Sequence, residues 1–378
     1  MGITFLLAPD KFKGSLDGFM FCKAVKEGIS MVYPDAVYVE KPLADGGDGT
    51  LDAVAGHFKG SWVNVEVFDP LFRKINTNYL YCPEEHLAFI ELSKASGYRL
   101  LRASERNCMH TTSYGTGQLI AHALEMGATQ IVLGIGGSAT NDGGMGIAAA
   151  LGYVFYDARG RELQAVGKNL RHISHISDQK CHPKLANSTI KVACDVLAPL
   201  YGPDGAAHVY APQKGASQEE VHALDLGLRH LANLVMDRYG LDLQKAQGAG
   251  AAGGIGGGMM AFCNASLHPG IDLVKELVHF NEALNGVDWV ISGEGRLDEQ
   301  TLQGKTLAGV MQSACEKGVP VAAFCGEVLL SAEQQRKWGL DYAVSILKKV
   351  GSMEQAKEDA YNNLVFAAHN FVSLLKKP

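Results

Sequence analysis

The spacing of apolar residues along this chain changes several times, and each change indicates a different kind of element. An apolar run at residues 3–8 is followed by apolar residues at helical spacing over 16–31, with Ser15 as the expected N-cap. A second strand is expected at 36–39. After Gly286 the alternation of strand and helix returns, with strands near 287–292, 319–325 and 341–347 and a final helix over 354–375.

The middle of the chain carries a different pattern. Residues 62–68 and 74–81 alternate apolar and polar positions around Asp69-Pro70-Leu71, which is typical of an antiparallel hairpin, and 87–92 is expected to pair with it. The pattern then predicts strands at 130–135 and 189–195 and helices at 116–126, 218–239 and 271–284.

These two patterns predict an α/β protein of two domains. Residues 1–58 and 286–378 are expected to form one Rossmann-like domain with a parallel sheet, and 59–285 an inserted mixed α/β domain. A length of 378 residues agrees with two domains. In open parallel sheets, ligands bind beyond the carboxyl ends of the strands, and a cleft between two domains is a favoured binding site.

Composition narrows the class of partner. The chain has 34 basic and 40 acidic residues, which argues against a nucleic-acid or anionic-membrane surface and favours a small-molecule partner. Eight cysteines lack CxxC pairs, so neither a zinc site nor a disulfide framework is indicated. Because no basic leader or long apolar segment is seen, we expect a cytoplasmic protein without a membrane span. The sequence makes no prediction of oligomeric state.

The segment WVISGEGRLDEQTLQGKT at 289–306 holds the densest chemistry. It predicts a buried strand, a sharp turn at Gly293 and Gly295, and a helix that begins at Thr306 with free N–H groups for an anion. The end resembles a P-loop, but Glu299 stands where that motif needs glycine. The segment is therefore either a phosphate site or a charged surface loop, and its candidate ionisable residues are Glu294, Arg296, Asp298 and Lys305.

A second glycine-rich segment, IVLGIGGSATNDGG, spans 131–144. Gly134, Gly136 and Ala139 fit the dinucleotide fingerprint, and Asp157 lies near the distance of its ribose-binding acid, so a nicotinamide-dependent oxidoreductase has to be considered. The polar run after the glycines suits a hydroxy acid or hydrated Mg²⁺ instead. Without a ligand, the same segment is an N-cap and turn. Its polar members are Ser138, Thr140, Asn141 and Asp142.

Three further sites are weaker alone. Asp45 and Asp48, separated by glycines, would hold a hard cation or supply a base, although Asp and Gly are also ordinary turn residues. Lys13 follows the first strand and would meet phosphate or carboxylate, or be solvated. Asp195, which ends a predicted strand, and Lys214 in a loop give still weaker signals.

Seven motifs in order make the chain similar to the type-1 glycerate kinase family, over nearly its whole length. They are APDKFKGSL at 8–16, LADGGDGT at 43–50, TTSYGTGQLI at 111–120, GIGGSATNDGG at 134–144, ACDVLAPLYGPDGA at 193–206, PQKGA at 212–216 and ISGEGRLDEQTLQGKT at 291–306. The resemblance implies an enzyme that phosphorylates D-glycerate with ATP and Mg²⁺ in the cleft between two α/β domains, giving 2-phosphoglycerate. The alternatives are a 3-phosphoglycerate-forming kinase, the oxidoreductase, and a non-catalytic nucleotide or sugar-acid sensor.

With that reaction in view, each candidate receives a role. Lys305 and the helix at Thr306 would hold phosphate, and Arg296 phosphate or the glycerate carboxylate. Asp45 or Asp298 would orient the hydroxyl or accept its proton, and Asp48, Glu294 or Asp195 would hold Mg²⁺. The other expected substrate contacts are Lys13, Arg73, Ser138, Asn141 and Asp142; the glycines expected at the cofactor are Gly134, Gly136, Gly137, Gly293, Gly295 and Gly304.

The chain departs from the family pattern at five positions, none of which removes a charged residue expected in catalysis. Phe72 replaces a usual glycine in a DPLGR-like turn, and Ala211 replaces a usual glycine before PQKG. Leu307 stands where proline is usual, His110 where lysine is common, and Glu327 within a loop of usually small residues.

Overall fold

The structure is a computed structural model that describes residues 2–10, 12, 14–44, 55–299, 301 and 306–375. Its strands are β1 (Thr4–Leu7), β2 (Val37–Glu40), β3 (Ser61–Phe68), β4 (Lys74–Cys82), β5 (Leu87–Glu91), β6 (Gln130–Gly134), β7 (Val154–Tyr156), β8 (His175–Ser177), β9 (Thr189–Ala193), β10 (Ser266–His268), β11 (Trp289–Leu297), β12 (Val321–Val328) and β13 (Tyr342–Ser345).

The α-helices in the described ranges alternate with these strands. They are α1 (Gly18–Ser30), α2 (Ser93–Ser96), α3 (Tyr114–Glu125), α4 (Met145–Ala150), α5 (Ala206–Tyr210), α6 (Gln218–Tyr239), α7 (Ala251–Cys263), α8 (Gly270–Leu277), α9 (Phe280–Ala283), α10 (Thr306–Lys317), α11 (Ala332–Lys337), α12 (Met353–Glu358) and α13 (Ala360–Leu375). In the described part of the chain, no helix is long and apolar enough to cross a membrane.

The chain divides into two compact units. Unit 1 comprises Met1–Asp45, Asp52–His57 and Ile271–Pro378, and unit 2 comprises Gly46–Leu51 and Phe58–Gly270. Residues 271–285, expected in the inserted domain, group with the chain ends instead, since α8 packs on α10: Gly309 lies against the Ile271 side chain.

Unit 1 contains a five-stranded parallel sheet in the order β13-β12-β11-β1-β2. The chain moves outward from β1 to β2, and after the insertion continues on the other side of β1 through β11, β12 and β13. The strand order therefore reverses between β1 and β11. On one face α1 and α13 pack closely, because Gly28 brings its backbone against the Val365 carbonyl.

Unit 2 contains a six-stranded mixed sheet in the order β10-β9-β6-β5-β4-β3. The predicted antiparallel hairpin is present as β3 and β4, and β5 pairs with it as expected. Strands β5, β6, β9 and β10 run parallel to one another. β7 and β8 form a separate two-stranded sheet. The predicted α/β fold class, with one parallel and one mixed sheet, is confirmed.

Several local predictions were wrong where distant partners decide the backbone. The expected turn at Gly293 and Gly295 is part of β11, because the neighbouring β12 continues the ladder as far as Val328. A side chain at position 293 would collide with the Phe324 carbonyl oxygen and the Phe21 ring, so glycine is needed there for packing.

The predicted helix boundaries also need correction at three places. The N-cap of α1 is Asp17, whose side chain accepts from the Met20 N–H, and not Ser15. The helix expected over 271–284 is broken into α8 and α9 by His279, which has φ +52°. The final helix is likewise divided, with α12 ending before α13 begins at Ala360.

The loop after β6 is held by a buried carboxylate. Asp142 is fully buried, and its oxygens accept from the Ser113 N–H (2.7 Å), the Ser113 hydroxyl (2.8 Å), and the Gly144 and Gly146 N–H groups (both 3.2 Å). Burial raises the pKa of this carboxyl, and the hydrogen bonds from Ser113, Gly144 and Gly146 act in the opposite direction. Asp142 therefore ties the loop to the starts of α3 and α4, which is a structural role; the expected substrate contact at Asp142 stays a prediction.

The turn between β3 and β4 carries local strain. Phe72 has φ +59°, a left-handed conformation that glycine adopts without cost. Its ring packs beside Phe68 and Tyr114, at centroid distances of 6.2 and 6.1 Å. The departure from the usual glycine at this position thus adds aromatic packing and backbone strain together.

Two replacements of Phe72 separate strain from packing. Both Phe72→Gly and Phe72→Ala lose the ring, but only alanine keeps the left-handed strain. We expect Phe72→Gly to be more stable than Phe72→Ala by about 1 kcal/mol in urea unfolding. Equal stability, or a more stable alanine variant, would show that the turn is unstrained.

The role of Asp142 is tested by Asp142→Asn. The amide keeps the shape but turns one acceptor into a donor that faces N–H groups, so we expect a loss of about 2 kcal/mol or more of folding free energy without any ligand. Asp204→Asn, an exposed aspartate of the same unit, is the control and should leave the unfolding temperature unchanged. An Asp142→Asn protein of normal stability that binds substrate poorly would return Asp142 to the binding site.

Candidate functional site

The carboxyl ends of the unit 1 strands carry a concentration of charged residues. The reversal of strand order between β1 and β11 opens a crevice, which is the usual ligand position in such sheets. Asp10 follows β1 and donates its N–H to the Gly293 carbonyl of β11 (2.9 Å). Glu294 and Arg296, the charged residues of β11, follow Gly293 toward the carboxyl end of that strand.

Two threonines hold the acidic side chains of this crevice. Thr306, the first residue of α10 and 1% exposed, donates its hydroxyl to Asp10 Oδ2 (2.7 Å). The Thr301 hydroxyl lies 3.3 Å from Glu294 Oε2 and its N–H donates to Asp298 Oδ1 (3.2 Å). The acids are thus positioned by hydrogen bonds from buried residues. The helix expected to bind an anion is present as α10 and begins at Thr306. Residues 302–305 before it lie outside the described residues.

Arg296 lies within a set of carboxylates. Its Nε is 3.2 Å from Asp298 Oδ2 and 3.6 Å from Glu327 Oε2, and its side chain remains 60% exposed. Glu327 stands on β12, directly opposite Arg296 in the ladder. The guanidinium is therefore aimed by two acids while most of its surface stays accessible to a ligand.

A cavity of about 560 Å³ in unit 1 is lined by Asp10, Glu294, Arg296 and Glu327 from this crevice. One side is apolar, with Phe12, Ile346, Leu347 and Met353 among its lining residues. The other side is charged and includes two cations, Arg296 and Lys357, beside three acids, Asp10, Glu294 and Glu327. An amphiphilic ligand with an apolar ring and an anionic group fits this division.

Unit 2 has its own cavity, of about 550 Å³, next to the glycine-rich loop after β6. Gly136 and Gly137 line it, and a side chain at 136 would meet no atom within 4 Å. Ser138, Asp195 and Lys214 provide polar groups at its wall. Asp195 Oδ1 also accepts from the Gly270 N–H (2.7 Å) at the start of α8.

The loop beside this cavity contains buried polar atoms with no hydrogen-bond partner in the described parts of the chain. They are the hydroxyl oxygen of Thr140 and both polar atoms of the Asn141 side chain. Both residues are fully buried. Because unpaired buried polar groups are costly, these atoms indicate a place for a polar ligand or for water.

Some predicted residues have other roles. The Arg73 guanidinium pairs with Asp69 (2.6 Å) and Glu105 (2.8 Å) and lines neither cavity, so it belongs to the hairpin turn. Gly134 is the last residue of β6 and pairs with strands on both sides. Ion pairs at the turn thus place the Arg73 side chain, and pairing within the sheet places Gly134.

The dinucleotide fingerprint lacks its structural context. The glycine turn after β6 does not open a helix, since α4 begins only at Met145 and is six residues long. Asp157 instead binds the N–H groups of Arg159 and Arg161 and the Arg161 guanidinium within a turn. The described structure therefore has neither a helix opened by the glycine turn nor Asp157 in the position of a ribose-binding acid, the two features that favoured a nicotinamide-dependent oxidoreductase.

Other predicted residues lie outside the described residues: Lys13, Asp45, Asp48, Gly304 and Lys305. Among the described residues, no group of three or more His, Cys, Asp or Glu side chains is arranged to hold a metal ion. Of the expected Mg²⁺ ligands that are described, Glu294 belongs to unit 1 and Asp195 to unit 2.

Three residues of these sites were missed or undervalued in the sequence. Lys357 lines the unit 1 cavity from a helix with no motif of its own. Thr301 received no role from the sequence, although its hydroxyl contacts Glu294. Lys214 gave only a weak signal as part of PQKGA, yet it is 6% exposed and lines the unit 2 cavity.

Comparison with known proteins supplies the family. The family model for the glycerate kinase family matches residues 5–376. The chain is 40% identical over 367 residues to a glycerate kinase of Halalkalibacterium halodurans, with 97% of each chain covered. It is 39% identical to the glycerate 2-kinase of Escherichia coli K12, over 98% of this chain and 97% of the relative.

A solved structure agrees with the sequence relatives. The crystal structure assigned to a glycerate kinase 2 of Salmonella typhimurium LT2 superposes with a TM-score of 0.91 at 38% identity and covers 99% of this chain and 98% of that chain. Both sequence and fold therefore match over nearly the full length. The chain belongs to the glycerate kinase family.

Proposed function

We propose that the protein transfers the γ-phosphoryl group of ATP to the 2-hydroxyl of glycerate. Membership of the family supports the reaction class, and the amphiphilic cavity at the strand reversal of unit 1 is the observation that carries the nucleotide assignment. Its apolar wall suits the adenine ring, and Arg296 and Lys357 suit the phosphates.

Divalent metal fits the same cavity. Among the described residues that line it, Asp10, Glu294 and Glu327 are acidic, and an additional positive ion would favour the binding of a polyphosphate beside these carboxylates. Mg²⁺ is usually bound by one or two carboxylates together with phosphate oxygens, so a cluster of three protein ligands is unnecessary. Glu294 and Asp10 are the proposed ligands, and the bound ion would supply neutralisation of the phosphate charge.

Phosphoryl transfer depends mainly on positioning and charge neutralisation. Arg296 donates to the transferred group, and its orientation is fixed by Asp298 and Glu327. Asp298, held by the Thr301 N–H, orients the attacking hydroxyl or accepts its proton; Asp45 is the other proposed base. Thr306 keeps Asp10 in place through its hydroxyl.

The product identifies both the reaction and its regiochemistry. We expect ADP release with D-glycerate and ATP in a coupled assay over a panel of small hydroxy acids, and phosphorus NMR of the mixture should show 2-phosphoglycerate. A dominant 3-phosphoglycerate signal would mean that the substrate binds in the reverse direction. Absence of ADP release with every acid would contradict the proposed function.

The role of Arg296 is tested by Arg296→Ala. Loss of a cation that stabilises transferred charge should lower kcat by about a hundredfold, while the unfolding temperature stays near that of the wild type because the side chain is mostly exposed. Arg336→Ala, an exposed arginine on α11 of the same unit, is the matched control and should keep full activity. Unchanged kcat in Arg296→Ala would exclude Arg296 from the transfer step.

A further inference from the structure

Lys214 is a buried lysine held by neutral groups. It ends a short 3₁₀ turn after α5, and its ammonium donates to the Ser138 hydroxyl (2.6 Å) and to the Thr140 carbonyl (2.8 Å). The turn is locked by Gly215, whose φ of +90° brings its backbone against the Arg106 carbonyl. The backbone of the turn at 212–215 and the Thr140 carbonyl therefore fix the position of the ammonium.

The charge of Lys214 has no direct counter-ion in the described parts of the chain. Neither hydrogen-bond acceptor is ionised, and Asp142, the carboxylate that acts electrostatically on Lys214, accepts hydrogen bonds from Ser113, Gly144 and Gly146. Burial lowers the pKa of Lys214 to about 8, against the opposing effects of Cys108 and Asp142. A buried cation held only by neutral acceptors is costly, and an anionic ligand would offset that cost.

The ammonium also faces open space. Lys214 is among the residues that line the 550 Å³ cavity of unit 2, and two of its three N–H donors are used by Ser138 and Thr140. Ser138 accepts from Lys214, so its own O–H is available to donate to a ligand. The two side chains together present donors suited to one carboxylate.

The backbone of the cavity wall is strained. Ala252 lines it with φ +55°, and the left-handed run continues through Gly253 and Gly254. Such a conformation in alanine persists only where surrounding packing imposes it, and it is concentrated at ligand sites. The conformation lets Gly253 approach the Thr140 carbonyl, the same residue that accepts from Lys214.

We propose that Lys214, with the Ser138 hydroxyl, binds the carboxylate of the small 2-hydroxy acid substrate in the unit 2 cavity. The proposal rests on the proposed function for the identity of that acid. Asp195 at the same wall suits the hydroxyl groups of the substrate and disfavours a polyphosphate, which carries several negative charges where the acid carries one. Lys214 therefore acts as a specificity-determining residue for carboxylic acids.

The decisive variant is Lys214→Met, which keeps a long unbranched side chain, one atom shorter, and removes its charge. We expect the KM for D-glycerate to rise roughly tenfold to a hundredfold while the KM for ATP is unchanged. The unfolding temperature without ligand should be equal or higher, because the buried charge is gone. Lys180→Met, an exposed lysine of unit 2 outside the cavity lining, makes the same charge change and should alter neither KM.

Glycerate binding measured without ATP tests the carboxylate site independently of the proposed kinase activity. D-Glycerate should raise the unfolding temperature of the wild type, its uncharged amide should do so far less, and Lys214→Met should lose that difference. Lys214→Gln provides the same comparison if the methionine variant does not fold. Lysine-dependent binding of glycerate without ADP release would contradict the proposed function and support the carboxylate site.

Two results would overturn the carboxylate site. In an active enzyme, an unchanged glycerate KM in Lys214→Met would exclude Lys214 as the anchor while leaving the function intact. A raised KM for ATP with a normal KM for glycerate would show that Lys214 binds nucleotide phosphate. Equal stabilisation by glycerate and its amide in the wild type would likewise contradict recognition of a carboxylate.

Discussion

The parallel pairing of β1 with β11 is the contact on which the rest of unit 1 depends. It joins positions far apart in the chain: the Ser292 hydroxyl donates to the Ala8 carbonyl across 284 residues. Because strand order reverses at this pair, the same contact brings Asp10 and Glu294 to the same edge of the sheet. The paired residues 5–7 and 290–291 are fully buried, so apolar burial offsets the entropy cost of joining such distant segments.

Unit 2 depends on a different constraint: two buried charged side chains, Asp142 and Lys214, need hydrogen-bond partners around the glycine-rich loop after β6. Asp142 receives four hydrogen bonds from groups that the loop and two helices bring together, so its charge is satisfied within the protein. Within the described ranges, the Lys214 ammonium donates to a hydroxyl and a carbonyl, and a cavity lies beside it. This difference in partners is the physical reason why we propose a structural role for Asp142 and ligand binding for Lys214.

Elements with a strong local pattern could be predicted from the sequence. The hairpin of β3 and β4 alternates apolar and polar residues, and α6 has a serine cap with a reciprocal glutamate at its start. Gly293 shows where such patterns fail. Glycine is a turn residue by local rules, but β12 extends alongside it and makes it part of a strand.

The sequence by itself determined the fold class, the family and the chemical types that the sites contain. Motifs such as ISGEGRLDEQTLQGKT can be identified from the sequence because the residues of each motif are close together in the chain. Only the tertiary structure decided which residues serve structure and which face a cavity. The Arg73 side chain forms ion pairs with Asp69 and Glu105. The Lys214 ammonium contacts Ser138, which lies 76 positions away in the chain. Burial and pairing between distant segments are set by packing, which no local pattern records.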